Sequence, residues 1–261
     1  MENKKGISGS TLKMIAIVTM VIDHIGAAVL ARLLMVNGLG ELDQTNADAI
    51  MQWLSANGAL YWTYTIMRMI GRVAFPIFCF LLVEGFLHTH DVKKYAMRLG
   101  LFALLSEIPF DLAFSSKILE FNYQNVFFTL FIGLLTMIAY RAVEEKEEWN
   151  QALKVILYIL IVAAGMALAY FLKTDYAEKG VFCIMVLYIF HKKKMWQIIA
   201  GCASFIWETP ALFGFIPIAF YNGTRGWKMK YFFYIFYPAH LLILYLLCYF
   251  MGISGLALDR K

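Results

Sequence analysis

Long apolar runs separated by short polar connections dominate the chain, at about positions 12–36, 73–88, 95–114, 126–140, 153–172 and 180–191. Two shorter runs follow at about 195–207 and 211–221, and then a long one at about 231–251. At 1.5 Å of rise per residue most of these cross, or nearly cross, a hydrocarbon layer roughly 30 Å thick. The pattern predicts an all-α, polytopic transmembrane helical bundle of about 7 to 9 spans. The pair between Lys194 and Arg225 is too short to cross easily, so it is either two short tilted helices or a re-entrant hairpin with Glu208, Thr209 and Pro210 at its junction. The segment 53–69, rich in Tyr and Trp, is either an interfacial helix or an early start of the second span.

Composition supports this reading. Of 261 residues, 61% are hydrophobic before glycine is counted and only 16% are charged, against roughly 45–50% (glycine included) and about 25% in soluble domains. The 22 Phe, 15 Tyr and 6 Trp exclude a disordered chain. No polar stretch is long enough for a second domain, so residues 1–261 form a single membrane-embedded domain. The first apolar run is too long for a signal-peptide core and no small-residue cleavage pattern follows it, so it is a retained helix. The four cysteines sit singly in apolar segments, as buried thiols do.

The net charge of +5 is distributed between the apolar runs, which argues for topology rather than nucleic-acid binding. Lys4, Lys5 and Lys13, then Lys93, Lys94 and Arg98, then Arg141, Lys146 and Lys154, then Lys192 to Lys194, then Arg225, Lys228 and Lys230 fall on alternate connections. The intervening loops are acidic or balanced. The positive-inside rule places the N-terminus in the cytoplasm and the C-terminus outside. Arg68 and Arg72 are exceptions, at the outer start of the second span.

Ionisable side chains within spans cost at least about 2.5–3.5 kcal/mol near mid-bilayer and mark candidate sites. Asp23 and His24 lie about 18 Å along the first span. A histidine titrates near neutral pH and suits general-base chemistry; the alternative is a buried polar pair joining helices. Neighbours on a helix point about 100° apart, so Asp23 either assists His24 or pairs with an arginine. Arg72 and Glu84 bracket the second span, as substrate-binding groups or as an interhelical ion pair, and Glu84 shares a face with His88. Pro109 lies between Glu107 and Asp111; the bend it introduces places Glu107 against a cavity, unless both carboxylates are counter-ions for Arg72 or Arg98. Asn125 and Thr129 are four apart, and Tyr237 and His240 three apart, each pair on one face. His88 and His90 are two apart without a second cluster, so no metal site is expected. There is no GxSxG, Walker or GxGxxG motif.

Five motifs in order carry a resemblance. They are Leu12-Lys13-Met14-Ile15-Ala16 running into Asp23-His24-Ile25-Gly26; Gly71-Arg72-Val73-Ala74-Phe75-Pro76-Ile77-Phe78 with Glu84-Gly85-Phe86; Ser106-Glu107-Ile108-Pro109-Phe110-Asp111; Asn125-Val126-Phe127-Phe128-Thr129-Leu130; and Tyr237-Pro238-Ala239-His240-Leu241. Over about residues 12–245 the chain resembles the TraX family of integral membrane proteins, named for the protein that N-acetylates F-type pilin. It departs from that pattern at Asp175-Tyr176-Ala177, where Asp-Tyr-Gly is expected.

The resemblance implies a multi-pass protein of the bacterial cytoplasmic membrane that transfers an acetyl group from cytoplasmic acetyl-CoA to an amine or hydroxyl acceptor, either a pilin, a peptide or an envelope glycan. In that reading His24 is the general base, Asp23 or Glu107 orients it or carries countercharge, and His240 is a second catalytic candidate. Asn125 or Tyr237 stabilises the oxyanion, and Arg72 and Glu84 bind substrate. The CoA phosphates meet Lys93, Lys94, Arg98, Lys192, Lys193, Arg225 and Lys228, and a cavity joins His24 to the face carrying Lys192 to Lys194. Direct transfer and an acyl-histidine intermediate both remain open. A different class of function is a proton-coupled transporter relaying through Asp23, His24, Glu84 and Glu107.

Overall fold

The computed structural model describes residues 5–227 and 230–256, with no β-strand among them beyond two isolated bridges. Helix α1 (Gly9–Ile25) continues through a π-helical turn (Gly26–Leu30) into α2 (Ala31–Val36). Helices α3 (Ala47–Gly71) and α4 (Ala74–His88) are nearly continuous, followed by α5 (Val92–Ser115), α6 (Val126–Glu144), α7 (Gln151–Phe171) and α8 (Ala177–Ile189). Helix α9 (Lys194–Ser204), a 3-10 segment (Thr209–Gly214) and α10 (Phe215–Ala219) precede α11 (Lys230–Phe250). The result is a helical membrane bundle. Five helical stretches among the described residues are long and apolar enough to cross a bilayer: Gly9–Val36, Ala47–His88, Val126–Glu144, Gln151–Phe171 and Phe232–Phe250.

The boundaries follow local chemistry. Asn46, Asp91, Asn125 and Asn150 each accept a hydrogen bond from a backbone N–H in the first turn of the helix they precede. Pro76, in the first turn of α4, excludes a regular helical bond to residue 72, and the chain breaks at Arg72 and Val73. The segment 53–69 is thus an early start of the second span, within α3.

Two ends of the bundle are defined by loop contacts. At one, Gly9 and Ser10 donate to the carbonyls of Thr224 and Arg225 (2.7 and 3.0 Å), and Lys194 reaches the Tyr221 carbonyl (2.6 Å). At the other, Gln124 and Asp175 bond to the backbones of Lys173 and Gln124 (3.0 and 2.9 Å), and Ser116 bonds to Ser254. The short pair forms a helical hairpin that begins at Lys194 and returns to Tyr221 at the first end, while its tip brings Glu208 to within 3.5 Å of Arg72.

Two apolar cores share the interior. One is built chiefly from α4, α6, α8 and the hairpin, the other from the later part of α1, α5 and α11. Phe78, Val126 and Phe127 pack against both.

Candidate functional site

The site lies along this seam, in a cavity of about 380 Å³. Polar members of its lining are Asp23, His24, Arg68, Arg72, Tyr64, Tyr123, Asp175, Tyr176 and Tyr237; Ala27, Ala31, Leu34, Met35 and Leu39 form an apolar wall toward the loop end. His24 is fifteen residues beyond Gly9, roughly 22 Å up the bundle at 1.5 Å per residue.

Close helix approach depends on Gly71. A Cβ there would overlap the Asp23 carboxylate, so only glycine lets α3 lie directly against α1 at this level. With the backbones that close, Arg68 Nη1 reaches Asp23 Oδ2 at 2.6 Å. Asp23 therefore takes an arginine rather than orienting His24, and the arginine is Arg68. Arg72 instead faces Glu208 of the hairpin.

His24 is held from α11. Its Nδ1 lies 2.7 Å from Nε2 of His240, the two rings are parallel to within 3°, and His240 Nδ1 lies 2.9 Å from the Phe236 carbonyl. Phe114 and Tyr237 meet the His24 ring edge-on, with centroids 5.4 and 6.0 Å away. The π-helical turn begins two residues after His24. Such turns shift the phase of a helix and are frequent at functional sites.

Three helix N-termini converge on the cavity: Ala74, which starts α4, and Val126, which starts α6, line it, as does Tyr176, just before α8. Their partial positive charge adds to that of Arg68 and Arg72 and suits developing negative charge. On this wall Tyr123 donates to Asp175 (2.5 Å), and the Tyr176 ring stacks on Phe75 with centroids 3.6 Å apart.

The structure thus brings Asp23, His24, Arg72, Tyr237 and His240 together. The other residues singled out from the sequence lie elsewhere. Glu107 is not placed against the cavity despite the proline in its helix; it is buried, and accepts from the backbone and side chain of Asn125, which also donates to the Ala103 carbonyl (2.9 Å). Both residues tie α5 to α6, and Glu107 is a counter-ion to neither Arg72 nor Arg98. Asp111 accepts from the Glu120 backbone N–H (2.8 Å). Glu84 is near His88 and Tyr221 at the other end of α4, twelve residues or roughly 18 Å from Arg72, so the four groups of a relay are not in file.

Lys93, Lys94, Lys192, Lys193 and Arg225 are exposed, and Arg98 lies half-buried against Tyr234. None of these lines the cavity at His24; Lys192 and Lys193 border a separate concavity with Ile189, Phe190 and Trp196. The cavity that His24 lines does not extend to the Lys192–Lys194 face. Lys228 lies outside the described residues.

One residue was missed in the sequence. Arg32 is fully buried, and its guanidinium donates to the carbonyls of Ala28 (2.8 Å), Ala113 (2.7 Å) and Leu256 (3.2 Å) and to Ser116 Oγ (3.0 Å). It clamps the π-helical turn behind His24 to the end of α5 and to the segment after α11. A lone cation inside an apolar run was the available signal.

Comparison with known proteins identifies the family. The family described as "TraX: TraX protein" matches residues 8–248. The "Probable fimbrial assembly protein FimC, serogroup H1" of Dichelobacter nodosus is 28% identical over 214 residues, covering 70% of this chain and 83% of that protein. No solved structure matches. The family match spans nearly the whole chain and contains every residue that lines the cavity: the chain belongs to the TraX family.

Proposed function

We propose that this protein is an acetyltransferase of the bacterial cytoplasmic membrane, N-terminus inside, that moves an acetyl group from acetyl-CoA to the N-terminal amine of a pilin or similar peptide. The observation that carries the reading is that His24, held by His240, lines a cavity that also presents Arg72 and Tyr237. Similarity to a protein named for fimbrial assembly favours a pilus subunit over a glycan as acceptor.

In this reading the acceptor nitrogen attacks the thioester carbonyl, forming the N–C bond. His24 takes the proton from that nitrogen and returns it to the departing CoA sulfur as the C–S bond breaks, yielding amide and free thiol. The oxyanion meets the Tyr237 hydroxyl and the positive ends of the converging helices. Lys192, Lys193 and Arg225 hold the donor's phosphates at the hairpin end. Because the cavity stops short of them, the thioester needs a path opened by displacement of the hairpin, which enters from that end and whose tip contacts Arg72.

The test is release of CoA thiol, with a matching gain of one acetyl group on a pilin-type peptide, by the purified protein in bilayer discs. His24→Ala is expected to lower the rate about 10²–10⁴-fold. If folded protein releases no thiol above background with peptide, amine or sugar acceptors, the enzyme reading is wrong.

A further inference from the structure

The hydrogen-bond chain running from α11 to α1 fixes which nitrogen of His24 is basic. A carbonyl oxygen only accepts, so the 2.9 Å contact between the Phe236 carbonyl and His240 Nδ1 requires a proton on that nitrogen. In a neutral His240 the other nitrogen, Nε2, is then an acceptor. It lies 2.7 Å from His24 Nδ1, which must therefore be the donor. A neutral His24 protonated on Nδ1 has its basic lone pair on Nε2. The direction of the whole chain is set at a backbone carbonyl, and Asp23 is engaged with Arg68.

We infer that His240 is a positioning residue that holds His24 in the Nδ1–H form, making His24 Nε2 the proton-accepting atom of the site. When Nε2 takes a proton, the resulting imidazolium shares its charge through Nδ1–H with His240 Nε2, whose ring is polarised by the Phe236 carbonyl. His240 thereby does what a carboxylate does in other histidine-based sites, without bringing a second full charge into the bundle. Tyr237 lies edge-on to both rings, with centroids 6.0 Å from His24 and 5.6 Å from His240, and keeps the pair in plane.

This rests on the acetyltransfer reading for its chemical consequence but not for the tautomer, so the two are tested separately. Nitrogen NMR of the histidine-labelled protein in bilayer discs, without substrate, is expected to show His24 protonated on Nδ1 and bare on Nε2. His240→Gln is expected to keep that form, because a glutamine offers an oxygen to His24 and an N–H to the Phe236 carbonyl. His240→Ala is expected to release it into a mixture. With acetyl-CoA and peptide, His240→Ala lowers kcat about 10²-fold while KM for acetyl-CoA moves less than about twofold, and His240→Gln recovers much of the loss. A wild-type His24 carrying its proton on Nε2, or an unchanged tautomer in His240→Ala, overturns the inference. If His240→Ala does not fold, a His240→Gln protein with His24 switched to the Nε2–H form overturns it equally. The expected tautomers without thiol release by any variant would sink the acetyltransfer reading and leave the assignment standing.

Discussion

Ala177→Gly should stabilise this protein, although alanine is the better helix former. Ala177 has φ of 41° and Tyr176 before it 65°, both in the left-handed region. For a residue with a Cβ that conformation costs roughly 1–2 kcal/mol. Glycine removes the clash but gives the unfolded chain more freedom, at about 0.4–1 kcal/mol. The difference is a net gain of about 0.5–1 kcal/mol, or an increase in Tm of roughly 1–4 °C for a chain of this size. Tyr176 is a poor target for the same change, because its ring stacks on Phe75 and would be lost. The assay is thermal unfolding in one detergent, with Ala163→Gly as control: that residue is exposed in the regular helix α7, where glycine costs about 1 kcal/mol. A gain at 177 and a loss at 163 are expected. A lower Tm for Ala177→Gly would refute the argument, showing that the methyl's contacts outweigh the backbone cost. The position is also where the resemblance leads one to expect glycine after Asp-Tyr, and the turn there has glycine-like geometry.

Gly71→Ala puts a methyl into the space of the Asp23 carboxylate; it should cost about 1–3 kcal/mol by overpacking, separate Arg68 from Asp23, and lower activity more than Gly58→Ala, which meets nothing within 4 Å. Normal activity in Gly71→Ala would mean that α1 and α3 are not in contact there. Asp91, partly exposed at the start of α5, has its carboxyl held below the usual range by bonds from the backbone and side chain of Lys94. Its cap is fully present above the ordinary aspartate pKa and is lost as pH falls through the lowered value in the folded protein. Protection of the Lys94 amide, taken against its intrinsic exchange rate at each pH, should fall over that range in wild type and stay constant in Asp91→Asn, and constant wild-type protection would contradict the cap.

The sequence alone determined the class of fold and most element positions, because a bilayer leaves few options: apolar runs of set length become helices, and the caps at Asn46, Asp91, Asn125 and Asn150 are local. It also picked out His24, because an ionisable group in such a run is conspicuous. The partners of these groups were decided only by tertiary structure. Asp23 meets Arg68, forty-five residues on, because Gly71 has no side chain; His24 meets His240 across 216 residues; and Glu107 turns to Asn125 instead of the cavity. Periodicity tells which face of a helix a side chain occupies, but pairing depends on which helices are neighbours and at what height. That is settled by the fit of whole surfaces, in particular small residues such as Gly71 and the break at Arg72 and Val73, whose effect depends on the helix they meet.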